Sequence, residues 1–262
     1  MVSKCAEIVS RKMRLRSEPI LYKNGGLRNP LEKKTVSIII PAFNEEKTIG
    51  TVLHQIEKLQ QEMPSIEVVV VDDGSQDKTA DEIARFSFAK CVKHRENRGK
   101  GSALFTGFSV ANGDIFIIQD ADMEYSPLDI PRLLKPILHN EADVVYGSRM
   151  IGSHRGMSLS HYIGNRILSL TSRLLIHAPV TDIMTGHKCM TREVVDTLTL
   201  KEDGFGIEIE ITAQIFQNGW RFKEVPIAYK KRRFGTSKIG YMDGFRSMRK
   251  VLAYSLQNQH RA

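Results

Sequence analysis

Asp120 and Asp122 stand on either side of one small residue, Ala121, directly after the apolar run Ile115 to Ile118. Two carboxylates placed so close repel unless a cation lies between or beside them. Their hard oxygens, with no His or Cys at ligand spacing, favour Mg2+ or Mn2+ over zinc. Mg2+ usually sits with one or two carboxylates and substrate phosphates, so the pair points to a nucleotide ligand. Asp72 and Asp73 form a second acidic pair after the run Val68 to Val71. They either cap the following turn or accept hydrogen bonds from a base or ribose. Arg98-Gly99-Lys100-Gly101-Ser102 lacks Walker spacing, and no GxGxxG follows the first apolar run. Both absences argue against a kinase, an NTPase or a dehydrogenase.

These acids need a scaffold that brings distant segments together. Val36 to Ile40 is a short β-branched run closed by Pro41, which reads as a strand buried on both faces. Asn44 is expected to cap a helix with Ile49, Val52, Leu53, Ile56 and Leu59 on one stripe. Val68 to Val71 reads as the next strand, followed by a helix capped by Asp77 and running towards Phe86. Cys91 to His94 reads as a strand, Lys100 to Ala111 as a helix and Ile115 to Ile118 as a strand. Ser126-Pro127-Leu128-Asp129 is a capping box with proline at the first helical position. Pro131 and Pro136 shorten or kink that helix. Val144 to Tyr146 reads as a fifth strand, closed by Gly147-Ser148-Arg149.

Such alternation predicts an α/β fold with right-handed crossovers and a mainly parallel sheet. In that arrangement the ligand crevice lies beyond the carboxyl ends of the strands. Pro41-Ala42-Phe43-Asn44-Glu45, Asp72-Asp73-Gly74-Ser75 and Asp120-Ala121-Asp122 each follow a strand, so all three are expected at one site. Beyond residue 150 the alternation weakens. Ile163, Ile167, Leu168, Leu170, Leu174 and Leu175 recur at helical spacing across 158–176, and Ile211, Ile215 and Phe216 suggest another helix. Residues 239–256 put Met242, Phe245, Met248, Val251 and Leu252 on one side, near Arg246, Arg249 and Lys250. That helix either packs on the body or lies on a membrane surface.

The chain has 262 residues, 41% hydrophobic and 26% charged, enough to bury a core in one large domain or two small ones. No apolar run approaches the roughly 18 residues that cross a bilayer. The first residues are basic with no apolar segment behind them, so no secretory signal is expected and synthesis should end in the cytoplasm. Cys5, Cys91 and Cys189 form no CxxC pair; they read as reduced, with Cys91 and Cys189 as small buried hydrophobes. The net charge of +8 is uneven: residues 1–34 carry nine basic against three acidic residues, and 226–262 nine against one. The ends are either solvated or meet an anionic partner, lipid head groups or nucleic acid.

Together with Asn97-Arg98-Gly99-Lys100-Gly101, Gly147-Ser148-Arg149, Thr185-Gly186-His187-Lys188 and Arg232-Arg233-Phe234-Gly235-Thr236-Ser237-Lys238, the three strand-end motifs resemble a family 2 glycosyltransferase. The resemblance runs from about Val36 to Lys238 and is greatest to the dolichyl-phosphate and polyprenyl-phosphate hexose synthases. It implies the GT-A fold, a Rossmann-like mixed, mostly parallel sheet flanked by helices. The organisation expected is a basic arm over 1–34, the GT-A domain over 35–238 and a basic amphipathic tail over 239–262.

The resemblance further implies that Pro41, Phe43 and Glu45 line the base and ribose pocket with Asp73 facing the base. Asp72, Lys100 and Ala121 join the nucleotide-sugar contacts, and Asp120 and Asp122 hold the diphosphate through the metal. Arg149 is assigned to the acceptor phosphate, and Arg232, Ser237 and Lys238 to a mobile loop over the donor. Two departures stand out: Glu124 replaces a glutamine common in relatives, and Ser158 to Asn165 offers His161 where some synthases carry an arginine pair.

A phosphate monoester has a second pKa near 6, so at neutral pH it is already an anionic nucleophile and needs no general base. The leading expectation is therefore a metal-dependent inverting transfer of a hexose from a GDP-mannose or UDP-glucose type donor to polyprenyl phosphate. It places the enzyme on the anionic cytoplasmic membrane face. A sugar or protein hydroxyl must instead lose a proton, and Glu208 and Glu210 are the candidate bases; otherwise they are exposed acids at a helix start. His187 reads as a packing or polar contact and Trp220 as core. A nucleic-acid-binding module is disfavoured by 7% aromatic content, the acidic middle and the absence of a known nucleic-acid signature.

Overall fold

The computed structural model describes residues 34–63, 65–153, 156–231 and 247–255. The basic arm with Cys5, the loop residues Arg232, Ser237 and Lys238, and much of the tail lie outside them. The chain order is β1 (Val36–Ala42), α1 (Ile49–Glu62), β2 (Ile66–Asp72), α2 (Thr79–Ala84), β3 (Ala89–Lys93), α3 (Lys100–Val110) and β4 (Ile115–Ile118). It continues with a 3-10 turn at Pro127–Asp129, α4 (Ile130–Leu138), β5 (Val144–Ser153), α5 (Leu159–Leu175), β6 (Lys188–Thr191), α6 (Arg192–Thr197), α7 (Ile207–Gln217) and β7 (Phe222–Ala228). Residues 247–255 are helical.

The strands form one sheet in the order β3-β2-β1-β4-β6-β5-β7. All neighbours run parallel except β6, which is antiparallel to both β4 and β5. The expected mainly parallel α/β sheet is therefore observed. Alternate β1 side chains feed two cores, as the two-residue strand period requires. Ile38 and Ile40 meet Val52, Leu53 and Ile56 of α1 and Leu133 and Leu134 of α4. Ile39 faces Leu104 of α3 and Ile209 of α7. Fully burying each such side chain contributes about 1.5–3 kcal/mol.

Several local expectations are corrected. β1 runs through Pro41 to Ala42, because Pro41 pairs in register only with Val71 after β4 has ended opposite Ile39. Asn44 does not cap α1; it adopts a left-handed conformation with φ 53° and its Oδ1 accepts from the Gln76 amide at 2.9 Å. Asp77 does accept the Thr79 amide at 3.0 Å. Ser126 accepts from the Leu128 amide at 3.3 Å, but opens a 3-10 turn before α4 begins. β5 does not stop at Gly147-Ser148-Arg149 but continues to Ser153, held by its parallel partner β7. Cys91 is exposed because β3 is an edge strand, whereas Cys189 is buried.

The 158–176 helix forms as α5, yet buries Asn165, Leu168, Ser169 and Ser172 while Leu159, Ile163, Ile167, Leu170 and Leu174 face outward. In 247–255, Val251 joins the second core and the Tyr254 hydroxyl donates to Glu210 at 2.9 Å, so this stretch packs on the body. Trp220 is only partly buried, at the margin of that core. Among the described residues no helix is long and apolar enough to cross a membrane.

Candidate active site

The crevice lies where β1, β2 and β4 end, and β6 adds its beginning to the same rim because Lys188 pairs with Ile118. A cavity of about 1180 Å3 opens there, lined by Pro41, Phe43, Glu45, Asp73, Lys100, Asp120, Ala121, Asp122 and Arg149. The structure thus brings together nine of the expected site residues. Asp72 is not among them. It is fully buried, accepts the Ser75 amide at 2.9 Å and lies 3.6 Å from the Lys93 ammonium, so its part is to close the turn after β2.

Asp73 is committed to the 94–99 segment: it accepts the amides of Arg98 at 3.0 Å and Gly99 at 2.7 Å and pairs with His94 Nδ1 at 2.7 Å. This carboxylate fixes the loop that leads into Lys100. Glu45, also buried, accepts from the Thr48 hydroxyl at 2.9 Å while its amide donates to Thr79.

Asp120 lies 2.7 Å from the Lys100 ammonium. Burial pushes the Asp120 carboxyl up, but the Lys100 charge and hydrogen bond outweigh it and hold the group below the usual carboxylate range. Asp122 accepts the Glu124 amide at 3.0 Å. Burial, then the charges of Asp122 and Asp120, push Glu124 up to about 7. Three acids thus line the cavity, and Glu124 is raised first by its burial and then by the charges of the other two. Hard carboxylate oxygens under such crowding fit a divalent cation of the Mg2+ or Mn2+ type. Among the described residues no group of three or more His, Cys, Asp and Glu side chains is arranged to hold a metal.

Arg149, which also lines the cavity, is buried in a fork on Asp182, donating from Nε at 2.7 Å and Nη2 at 2.6 Å. Asn165 of α5 donates to the same carboxylate at 2.7 Å. The guanidinium carbon lies 5.5 Å from the Tyr125 ring centre and 5.8 Å from that of Tyr229. Tyr229 donates to Glu124 at 3.3 Å, linking the surroundings of Arg149 to the acids. His161 lines the cavity from α5.

Glu208 and Glu210 are both buried, which overturns the exposed helix-start reading. Glu210 accepts the amides of Lys201 at 2.9 Å and Glu202 at 3.0 Å besides the Tyr254 hydroxyl, so it is no base. Glu208 pairs with Lys100 at 2.8 Å and with Lys188. His187 is fully buried without a hydrogen-bond partner on either ring nitrogen; burial pushes it down to about 4, and it packs 5.9 Å from the Tyr125 ring. The sequence gives no sign of Asp182 or Tyr125, and Lys188 stands in the motif Thr185-Gly186-His187-Lys188 without a role assigned to it. The one available signal was Lys188, a lysine inside an otherwise uncharged strand.

Residues 37–199 match the family described as Glycosyl transferase family 2. The chain belongs to that family. A dolichol-phosphate mannosyltransferase of Pyrococcus furiosus is 30% identical over 78% of this chain and 59% of its own length, so the chain spans about three fifths of that relative. An undecaprenyl-phosphate mannosyltransferase of Micrococcus luteus is 32% identical over 78% of this chain and 87% of its own. Glucosyl-3-phosphoglycerate synthase of Mycobacterium tuberculosis, solved with Mn2+ and UDP-glucose, superposes with a TM-score of 0.71 at 24% identity, covering 87% of this chain and 80% of that one. The fold is that of the GT-A glycosyltransferases, and this family 2 glycosyltransferase is an enzyme.

Proposed function

We propose that this glycosyltransferase moves a hexose from a nucleoside-diphosphate sugar to a polyprenyl phosphate at a membrane surface. The observation that carries the lipid acceptor is the two-faced helix α5. Its inner face gives His161, Asn165 and Leu168 to the cavity, while Leu159 and Leu174 on its outer face are 73% and 67% exposed. At about 100° per residue Leu159, Ile163, Ile167, Leu170 and Leu174 fall within an arc of about 80°, opposite the buried face. Exposed Arg166 and Arg173 lie beside that stripe. An apolar stripe bordered by arginines suits anionic lipid, and its helix leads into the cavity, so a phosphate can enter while its tail stays among acyl chains.

On the donor side Pro41, Phe43, Glu45 and Asp73 form the nucleotide end, with Lys100 and Ala121 nearer the diphosphate. Asp120 and Asp122 would hold Mg2+ or Mn2+. When bound, such an ion supplies Lewis-acid neutralisation of the departing diphosphate. Arg149, held by Asp182, orients the acceptor phosphate, whose oxygen is ionised at neutral pH and needs no base. The commitment of both Glu208 and Glu210 to other partners agrees with that requirement. Attack in line with the leaving diphosphate inverts the anomeric carbon.

Incubating the full chain with labelled UDP-glucose or GDP-mannose, Mn2+ or Mg2+, and either polyprenyl phosphate or oligosaccharides tests the reading. Label is expected in the organic phase, only with polyprenyl phosphate. Label passing solely to the water-soluble acceptor overturns it.

A further inference from the structure

A row of alternating charges runs from the cavity into the core: Asp120, Lys100, Glu208, Lys188. Lys100 Nζ lies 2.7 Å from Asp120 and 2.8 Å from Glu208. Glu208 in turn pairs with Lys188, whose ammonium also donates to the Thr185 carbonyl and lies 4.6 Å from the Tyr146 ring centre. Lys188 is fully buried, Glu208 is 2% exposed, and Lys100 keeps 13% of its side chain accessible at the cavity wall. Gly186 makes the approach possible, since a methyl there would overlap the Asp120 carboxylate and crowd the Lys100 ammonium.

Buried ion pairs add little net stability, because removing each charge from water offsets the attraction. The row is not explained as a fold device, so its arrangement asks for another account. Asp120 and Glu208 share one ammonium, and Asp120, one residue away from Asp122 in the chain, lines the cavity with it. A divalent cation entering between Asp120 and Asp122 competes directly with Lys100 for Asp120. Glu208 cannot follow it, being held by Lys188 on its other oxygen. Lys100 therefore keeps one fixed anchor and gains a free face towards the cavity.

We infer that Lys100 is a transferable ammonium, released by Asp120 when the cation binds and passed to the donor's diphosphate, with Glu208 and Lys188 as the positioning residues that hold it through the exchange. The inference rests on the donor reading above, not on the identity of the acceptor. In the free site Lys100 neutralises Asp120. In the loaded site the cation takes over that task, and the row Lys100, Glu208, Lys188 carries a net positive charge facing a diphosphate. An enzyme so built excludes loose cations until a nucleotide is present to accept the displaced ammonium.

The exchange predicts effects of opposite sign, which a merely structural lysine cannot produce. Titrations of the full chain measure Mn2+ alone and, separately, UDP and GDP in saturating Mn2+. Lys100→Met is expected to tighten Mn2+ alone by about tenfold and to weaken the preferred nucleotide by about tenfold. Glu208→Gln leaves Lys100 to Asp120 alone, so Mn2+ alone is expected to bind several-fold more weakly. Lys100→Met weakening or not altering Mn2+ overturns the inference. Should the variants not fold, a crystal structure of the unaltered chain with Mn2+ and its nucleoside diphosphate decides. Nζ on a phosphate oxygen and Glu208 supports the exchange, and Nζ still on Asp120 without a phosphate contact overturns it. If the unaltered chain binds neither nucleotide in a Mn2+-dependent way, the donor reading itself falls and takes the inference with it.

Discussion

Arg149 and Asp182 meet through two parallel hydrogen bonds of 2.7 and 2.6 Å, and the Arg149 amide donates to the same carboxylate at 3.0 Å. One acid thus fixes both the side chain and the backbone of a β5 residue at the cavity wall. Removing one partner of a buried pair leaves an uncompensated charge. Asp182→Asn is therefore expected to lower unfolding stability by about 3–5 kcal/mol, measured by urea titration at neutral pH.

The same pair sets an acid dependence. Burial pushes Asp182 up, but the Arg149 charge and the hydrogen bonds from Arg149 and Asn165 outweigh it and hold the carboxyl below its usual value. A depressed folded pKa contributes stability that is complete above the unfolded value of about 4 and is lost as pH falls through the folded value. The stability gap between the unaltered chain and Asp182→Asn should hold from pH 7 to about 5 and narrow on further acidification. A gap that widens with acid contradicts the assignment.

Asp120→Asn and Asp122→Asn each remove an anionic oxygen donor from the cavity wall. Transfer rates are expected to fall by about 100- to 1000-fold, with the far-UV circular dichroism unchanged. The Mn2+-dependent rise in melting temperature given by the preferred nucleotide should vanish in both variants.

Leu170→Glu with Leu174→Glu places two acids on the exposed stripe of α5. Flotation with vesicles containing phosphatidylglycerol is expected to drop strongly, while unfolding stability shifts by no more than about 0.5 kcal/mol per site. Nucleotide binding should not change, because neither residue lines the cavity.

Gly101→Ala sets a methyl against the carbonyl of Glu202, a backbone atom that cannot swing aside. The Gly101 amide donates to Asp203 at 2.6 Å, so the strain falls on the turn that carries Lys100. A loss of about 1–3 kcal/mol in stability is expected, together with weaker nucleotide binding in a titration at saturating Mn2+.

The strand-end part of the candidate site was legible because its signals are local. Ile115 to Ile118 is apolar and short, with acids one residue beyond its end, and a parallel sheet leaves one place for such strand ends. The row through Glu208 was not legible, since it joins α3, α7 and β6 by pairings that no local pattern encodes. For Glu208 the sequence leaves a candidate base and an exposed helix-start acid open, and two lysines from other elements instead pair with it in the interior. For α5 the period marked the helix but not its orientation, since Asn165, Ser169 and Ser172 join Leu168 on the buried side while Leu159, Ile163, Ile167, Leu170 and Leu174 face outward. Burial followed the hydrogen bonds of Asn165 to Asp182 and of Ser169 to the Ile183 amide rather than hydropathy.

The reversed direction of β6 has a consequence for how such an enzyme can diversify. Because β6 begins at the rim where its neighbours end, residues from the stretch Arg149 to His187 and from the loops after β1, β2 and β4 line the same crevice. On the reading proposed above, choice of sugar nucleotide and choice of recipient draw on largely separate lengths of chain. Either can drift, lengthen or be exchanged by recombination while the other is left intact.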